Sequence, residues 1–186
     1  MKKLINSYKE NLKKILDDPC MDKAELLAEA IYYAWKNNNC VYLCGNGGSA
    51  ANAIHIANDL LYGAGRKNGK GINVEALSSN VAVLTCLAND LDYSNIYSEQ
   101  IKVKAKKNDI LIALSGSGNS KNIINAIKEG NHIGMKTFAI LGYSGGECKK
   151  IANTALHFDI ADMQICEDSQ LIIGHMCMQW LSNKKI

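Results

Sequence analysis

The sequence has one proline, no CxxC pair, no internal repeat and no apolar stretch of transmembrane length. Each absence excludes something. Without a long apolar run, no membrane-spanning helix is expected. The N-terminus, MKKLINSYKENLKKIL, is basic but lacks the apolar core of a signal peptide. With no low-complexity tract or linker, the 186 residues read as one domain, long enough for a proper core. The seven cysteines (20, 40, 44, 86, 148, 166 and 177) are odd in number, and several lie in apolar runs, where cysteine acts as a small hydrophobe. Free thiols in a reducing cytoplasm are therefore expected. The net charge of +3 is scattered, and the short lysine clusters sit beside acids or at element ends. They read as solvated faces, so no nucleic-acid partner is expected. The nucleotide fingerprints GxGxxG and GxxxxGK[ST] are also absent.

What is present is an alternation. Apolar residues make up 47% of the chain. Residues 3–17 and 21–36 carry helical periodicity on either side of Pro19. Short runs at 40–44, 73–77, 109–114, 137–141 and 155–158 are apolar throughout, as in strands covered on both faces. Helical patterns at 50–62, 81–88, 96–104, 121–129, 147–152 and 167–181 lie between and after them. This order predicts an α/β fold: a three-layer α/β/α sandwich on a five-stranded parallel sheet, with extra helices at the N-terminus.

Two strand-to-helix junctions stand out. Gly45-Asn46-Gly47-Gly48-Ser49 follows the first strand, and Ser115-Gly116-Ser117-Gly118-Asn119-Ser120 follows the third. Glycine-rich turns expose backbone N–H groups, and the helix that follows presents its positive end. In a parallel sheet both loops face one crevice. Three serines in six residues suit one phosphate monoester. The same residues also serve as plain turn formers and N-caps.

His55 and Asp59 are four residues apart on one helical face, in an otherwise apolar stretch. His175 lies between Ile172-Ile173 and Met176 on the last helix, preceded by Glu167 and Asp168. A phosphate loop, a carboxylate and an imidazole are the parts needed for proton transfer beside a carbonyl.

The segments CGNGGSAANAIHIANDL, VLTCLANDLDYSNIYSEQI, DILIALSGSGNSKNIINAIK and EDSQLIIGH together resemble the bacterial phosphoheptose isomerases, which are sugar isomerase (SIS) domains. The resemblance runs from the second helix to the C-terminus. It implies a homotetrameric enzyme, with sites formed between subunits, that interconverts D-sedoheptulose 7-phosphate and D-glycero-D-manno-heptose 7-phosphate for surface polysaccharide. It also implies roles. Asn46, Gly47, Gly48 and Ser49 contact substrate, Asn89 and Asp90 line the site, and Ser115, Gly116, Ser117 and Ser120 hold the phosphate. Asp59 and His175 are catalytic. Zinc would be held by His55, Asp59, Glu167 and His175, and Glu167 would also meet substrate. Four positions depart from the family pattern: Asp59 stands for glutamate, Glu167 for glutamine, Gly116 for threonine and Gln170 for histidine. Eight helical residues rise about 12 Å, so Glu167 and His175 share a metal only at a bent helix start or from different subunits. A non-catalytic SIS protein, either a sugar-phosphate sensor or a partner of the replication initiator, is the alternative.

Overall fold

The structure, a computed structural model, describes residues 1–66 and 69–186. Five parallel strands form the sheet: β1 (Val41–Gly45), β2 (Val74–Ala76), β3 (Ile110–Ser115), β4 (Lys136–Leu141) and β5 (Thr154–His157). Their order is β2-β1-β3-β4-β5. Every expected strand is present. The order reverses between β1 and β3, which pair from Val41↔Ile110 to Gly45↔Leu114. The ends of adjacent strands at such a reversal open a crevice at the carboxyl edge of the sheet.

Alternate residues of the central strands enter two separate cores. Val41, Leu43, Ile110, Ile112 and Leu114 pack on one side of the sheet with α2 (Lys23–Lys36), α3 (Gly48–Asn58) and α8 (Met163–Leu181). Tyr42, Cys44, Leu111 and Ala113 pack on the other with α5 (Ser98–Lys104), α6 (Lys121–Ile133) and α7 (Gly146–Ile151). Burial on both faces explains why the strands are apolar throughout rather than alternating. In α6 the buried residues recur as Ile123, Ala126, Ile127 and Gly130, a helical stripe. The helix stops at Gly134, whose φ of 87° is the left-handed conformation that glycine adopts without penalty.

Three helices differ from the sequence reading by four residues at one end. Helix α6 runs on to Ile133, past the expected 129, and ends only at Gly134. The last begins at Met163, before the expected 167, because the Asp162 side chain caps it by accepting from the Ile165 N–H at 3.3 Å. The expected helix over 50–62 is regular only to Asn58. A wider π-turn then spans Asp59–Gly63, closed by the Ala64 N–H donating to the Asp59 carbonyl at 3.0 Å.

Helix α1 (Lys2–Leu16) lies outermost, and only its Ile15 is fully buried. The Tyr8 hydroxyl ties it to α8 by donating to the Asp168 carboxylate. That bond, with burial second, raises the Tyr8 phenol to about 12. Helix α4 (Val81–Asp90) has no buried residue at all. All seven cysteines are free. Among the described residues, no helix is long and apolar enough to cross a membrane. Lys102, Lys104 and Lys150 pair with Glu99, Glu75 and Glu147.

The start of the central sheet is held by one buried carboxylate. Asp109, 1% exposed, accepts from the Cys40 and Lys106 backbone N–H groups, both at 2.9 Å, and from the Asn39 amide. Asp109→Ala leaves these donors unpaired and should cost about 2–5 kcal/mol. The melting temperature should fall by roughly 10 °C in a calorimetric scan.

Candidate functional site

The two Ser/Gly loops line one cavity of about 120 Å³, with Asn46 and Ser49 from the first and Ser115, Gly116, Ser117 and Ser120 from the second. Met163 and Glu167, from the start of α8, close it. In the first loop, Gly47 sits at φ 55°, ψ −122°, a conformation essentially restricted to glycine. A side chain on the exposed Gly48 would overlap the Glu167 carboxylate. In the second loop, the Ser115 hydroxyl accepts from the Gly118 N–H at 3.1 Å and Ser117 from the Asn119 N–H at 3.3 Å. Ser120 holds the N-cap position of α6, yet its hydroxyl does not bond the helix's own N–H groups. Gly116 has a packing reason to depart from threonine: a Cβ there would come within 2.5 Å of the Met163 sulfur. The cavity thus presents hydroxyl, amide and backbone donors at the positive end of a helix, a cradle suited to phosphate.

From this cradle α3 and α8 run side by side in the same direction. Ser49 and Asn52 meet Gln170, and Ile56 meets Gly174. A Cβ on Gly174 would come within 2.6 Å of Ile56, so the glycine lets the helices close. One residue further, His175 faces His55, with their Nε2 atoms 3.0 Å apart. The Asp59 Oδ2 lies 3.5 Å from the His55 Nε2 and 3.6 Å from the His175 Nε2. The π-turn starts at this aspartate, and such turns recur at functional sites.

His55, Asp59 and His175 thus come together although 120 residues separate the two histidines. One ligand atom from each lies within 4.8 Å of the others. Two imidazole nitrogens that face each other share at most one proton on the line between them, or both turn to a cation. Two nitrogens and a carboxylate oxygen are a donor set that suits zinc. The residues therefore fit that ion.

The other expected site residues divide. Glu167 is in the cradle, inside a regular helix rather than at a bent start, and it does not join His55, Asp59 and His175 within one chain. The cradle and the histidine cluster are about 9–12 Å apart, by the rise of six residues on α3 and eight on α8. Asn89 and Asp90 lie at the exposed end of α4 and do not line the cradle of their own chain. The Asn89 amide, followed by the Cys86 thiol, holds the Asp90 carboxyl below its usual value.

Sequence reasoning missed Asn52, Asn122 and Tyr93, and placed Gln170 only as a departure. Asn122 and Gln170 are each 1% exposed, and both support the cradle from outside. Their signal was available: single amides on otherwise apolar helix faces.

Comparison with known proteins agrees with this geometry. A family profile described as the SIS domain matches residues 5–142. A phosphoheptose isomerase of Clostridium acetobutylicum is 37% identical over 173 residues, covering 92% of this chain and 88% of the relative. Among solved structures, a phosphoheptose isomerase from Francisella tularensis superposes with a TM-score of 0.90 at 26% identity, covering 98% of this chain and 96% of the other. The enzyme from Neisseria gonorrhoeae gives 0.81 at 26% identity, with 96% and 92% covered. The parallel sheet, the paired loops and these likenesses place the chain in the phosphoheptose isomerase family of SIS-domain proteins.

Proposed function

We propose that the protein interconverts D-sedoheptulose 7-phosphate and D-glycero-D-manno-heptose 7-phosphate. The observation that carries this reading is the meeting of Asp59 and His175 on two helices whose first turns build the cradle. The cradle takes the phosphate, and the 9–12 Å of helix beyond it matches a substrate whose reactive carbons lie well away from its phosphate. Binding energy from the phosphate then positions the carbonyl end.

Isomerisation removes a proton from the carbon beside the carbonyl, passes through an enediol, and returns a proton to the neighbouring carbon. Asp59 and His175 are the pair assigned to these transfers, one as base and one as acid. His55, Asp59 and His175 would hold a zinc ion, which when bound supplies positive charge to the sugar oxygens that gain electron density. Glu167, at the mouth of the cradle, would contact the substrate.

Asn89 and Asp90 would complete the site of a second copy. The exposed apolar residues Leu4, Ile5, Val81 and Leu91 on α1 and at the ends of α4 favour assembly, with a homotetramer expected in the cytoplasm. Light scattering of the purified protein tests the assembly, and a monomer at micromolar concentration would remove it.

The main test follows the aldose by NMR after adding sedoheptulose 7-phosphate, with and without zinc. Turnover is expected. His175→Ala and Asp59→Ala should each lower kcat by about 10²–10⁴-fold while the fold persists. Wild-type binding without product would instead indicate a sensor.

Zinc at a hundredfold excess over its Kd should stabilise the protein by about 2.7 kcal/mol, which raises the melting temperature by roughly 5–10 °C. His55→Ala should weaken zinc binding at least about tenfold, read by calorimetry. Unchanged zinc affinity would remove His55 from the ligand set.

A further inference from the structure

Two side chains of the cradle, Asn46 and Ser49, share a property that their positions alone do not explain: their acceptor atoms are already engaged by protein donors. Asn46 shows it most fully. The Ile123 backbone N–H, which only donates, bonds Asn122 Oδ1 at 3.0 Å and so fixes which atom of that amide is oxygen. The Asn122 Nδ2 then donates to Asn46 Oδ1 at 2.7 Å, and the Asn46 Nδ2 donates back to Asn122 Oδ1 at 2.9 Å. The Tyr93 hydroxyl donates to the same Asn46 Oδ1 at 3.2 Å. Both lone pairs of that oxygen are used, and one hydrogen of the Asn46 amide remains.

Ser49 is fixed in the same way from the other side. The Glu167 backbone carbonyl, which only accepts, takes a hydrogen from Asn52 Nδ2 at 3.0 Å. Asn52 Nδ2 also donates to Gln170 Oε1 at 3.0 Å, and Gln170 Nε2 donates to Ser49 Oγ at 3.0 Å. The Ser49 hydroxyl hydrogen is left to point elsewhere. Each chain of bonds begins at a backbone group whose role is not interchangeable, so neither amide has a free choice of orientation.

We infer that Asn122 and Gln170, two buried amides outside the cradle, are positioning residues that fix Asn46 and Ser49 as hydrogen-bond donors toward the bound ligand. Tyr93 completes the setting of Asn46. This rests on the reading that the cradle holds the phosphate of the substrate. A phosphate dianion offers only acceptors. Donors oriented in advance meet its oxygens without reorganisation, and an ammonium, which offers no acceptor, would leave these two donors unpaired. The inference assigns ligand discrimination to residues that never touch the ligand.

The test measures binding of inorganic phosphate and of sedoheptulose 7-phosphate by calorimetry, with turnover followed in parallel. Asn122→Leu and Gln170→Leu should each weaken phosphate binding by about tenfold, and Tyr93→Phe by about threefold. KM should rise while kcat at saturation stays nearly constant, which general loosening of the fold would not produce. On an Asn46→Ala background, Asn122→Leu and Tyr93→Phe should add nothing, and Gln170→Leu should add nothing on Ser49→Ala. Unchanged affinity in a folded variant, or losses that simply add, would overturn the inference. Should the leucine variants not fold, the smaller Asn122→Ala and Gln170→Ala replace them with the same expected losses, and Tyr93→Phe, at a residue 57% exposed that loses only a hydroxyl, reads the setting of Asn46 separately. Wild-type phosphosugar binding without turnover would overturn the isomerase reading and leave this one standing. No binding by the wild type would overturn both.

Discussion

The pairing of β1 with β3 is the constraint from which the rest of the site follows. Their register carries Gly45 beside Leu114, so the loops after the two strands leave the sheet next to one another. A glycine-rich turn and a serine-rich turn that would each be ordinary alone are thereby made to face one cavity. The parallel arrangement needs helical crossovers on both faces, and those helices begin where the loops end. Donors from hydroxyls, amides and helix ends therefore converge without any long-range device beyond the sheet itself.

Helices α3 and α8 carry that order away from the sheet edge. A ladder of polar contacts near their beginnings gives way to the apolar contact of Ile56 with Gly174, and then to the two imidazoles. Buried amides are costly unless fully paired, and among the described residues no buried side-chain nitrogen or oxygen lacks a partner. The same contacts that align the helices along their length hold His55, Asp59 and His175 at one level.

Much of this was legible in the residues. The strands declared themselves by being apolar and short, and the two loops by glycine and serine. His55 and Asp59 were visible as a helical pair, because four residues make one turn. The meeting of His175 with them was not visible in spacing and came only from family likeness, since nothing local encodes which helices touch. The start of α8 was misplaced because Asp162 reads as an ordinary loop residue until its carboxylate is seen to cap Ile165. That shift puts Glu167 inside regular helix and separates it from His175. The amides of Asn122 and Gln170 were overlooked for a related reason: their partners lie 76 and 121 residues away. Asn89 and Asp90 lie exposed at the end of α4, away from the cradle of their own chain.

The absence of a side chain at Gly174 has a consequence for how such a site could diverge. The gap between the imidazoles is set by the thickness of what lies between two helix backbones one residue away. Adding a methyl group there would widen that gap while every chemically active residue kept its identity. Descendants of this chain could therefore retune or silence the centre by volume alone, and a survey of active residues would register no change.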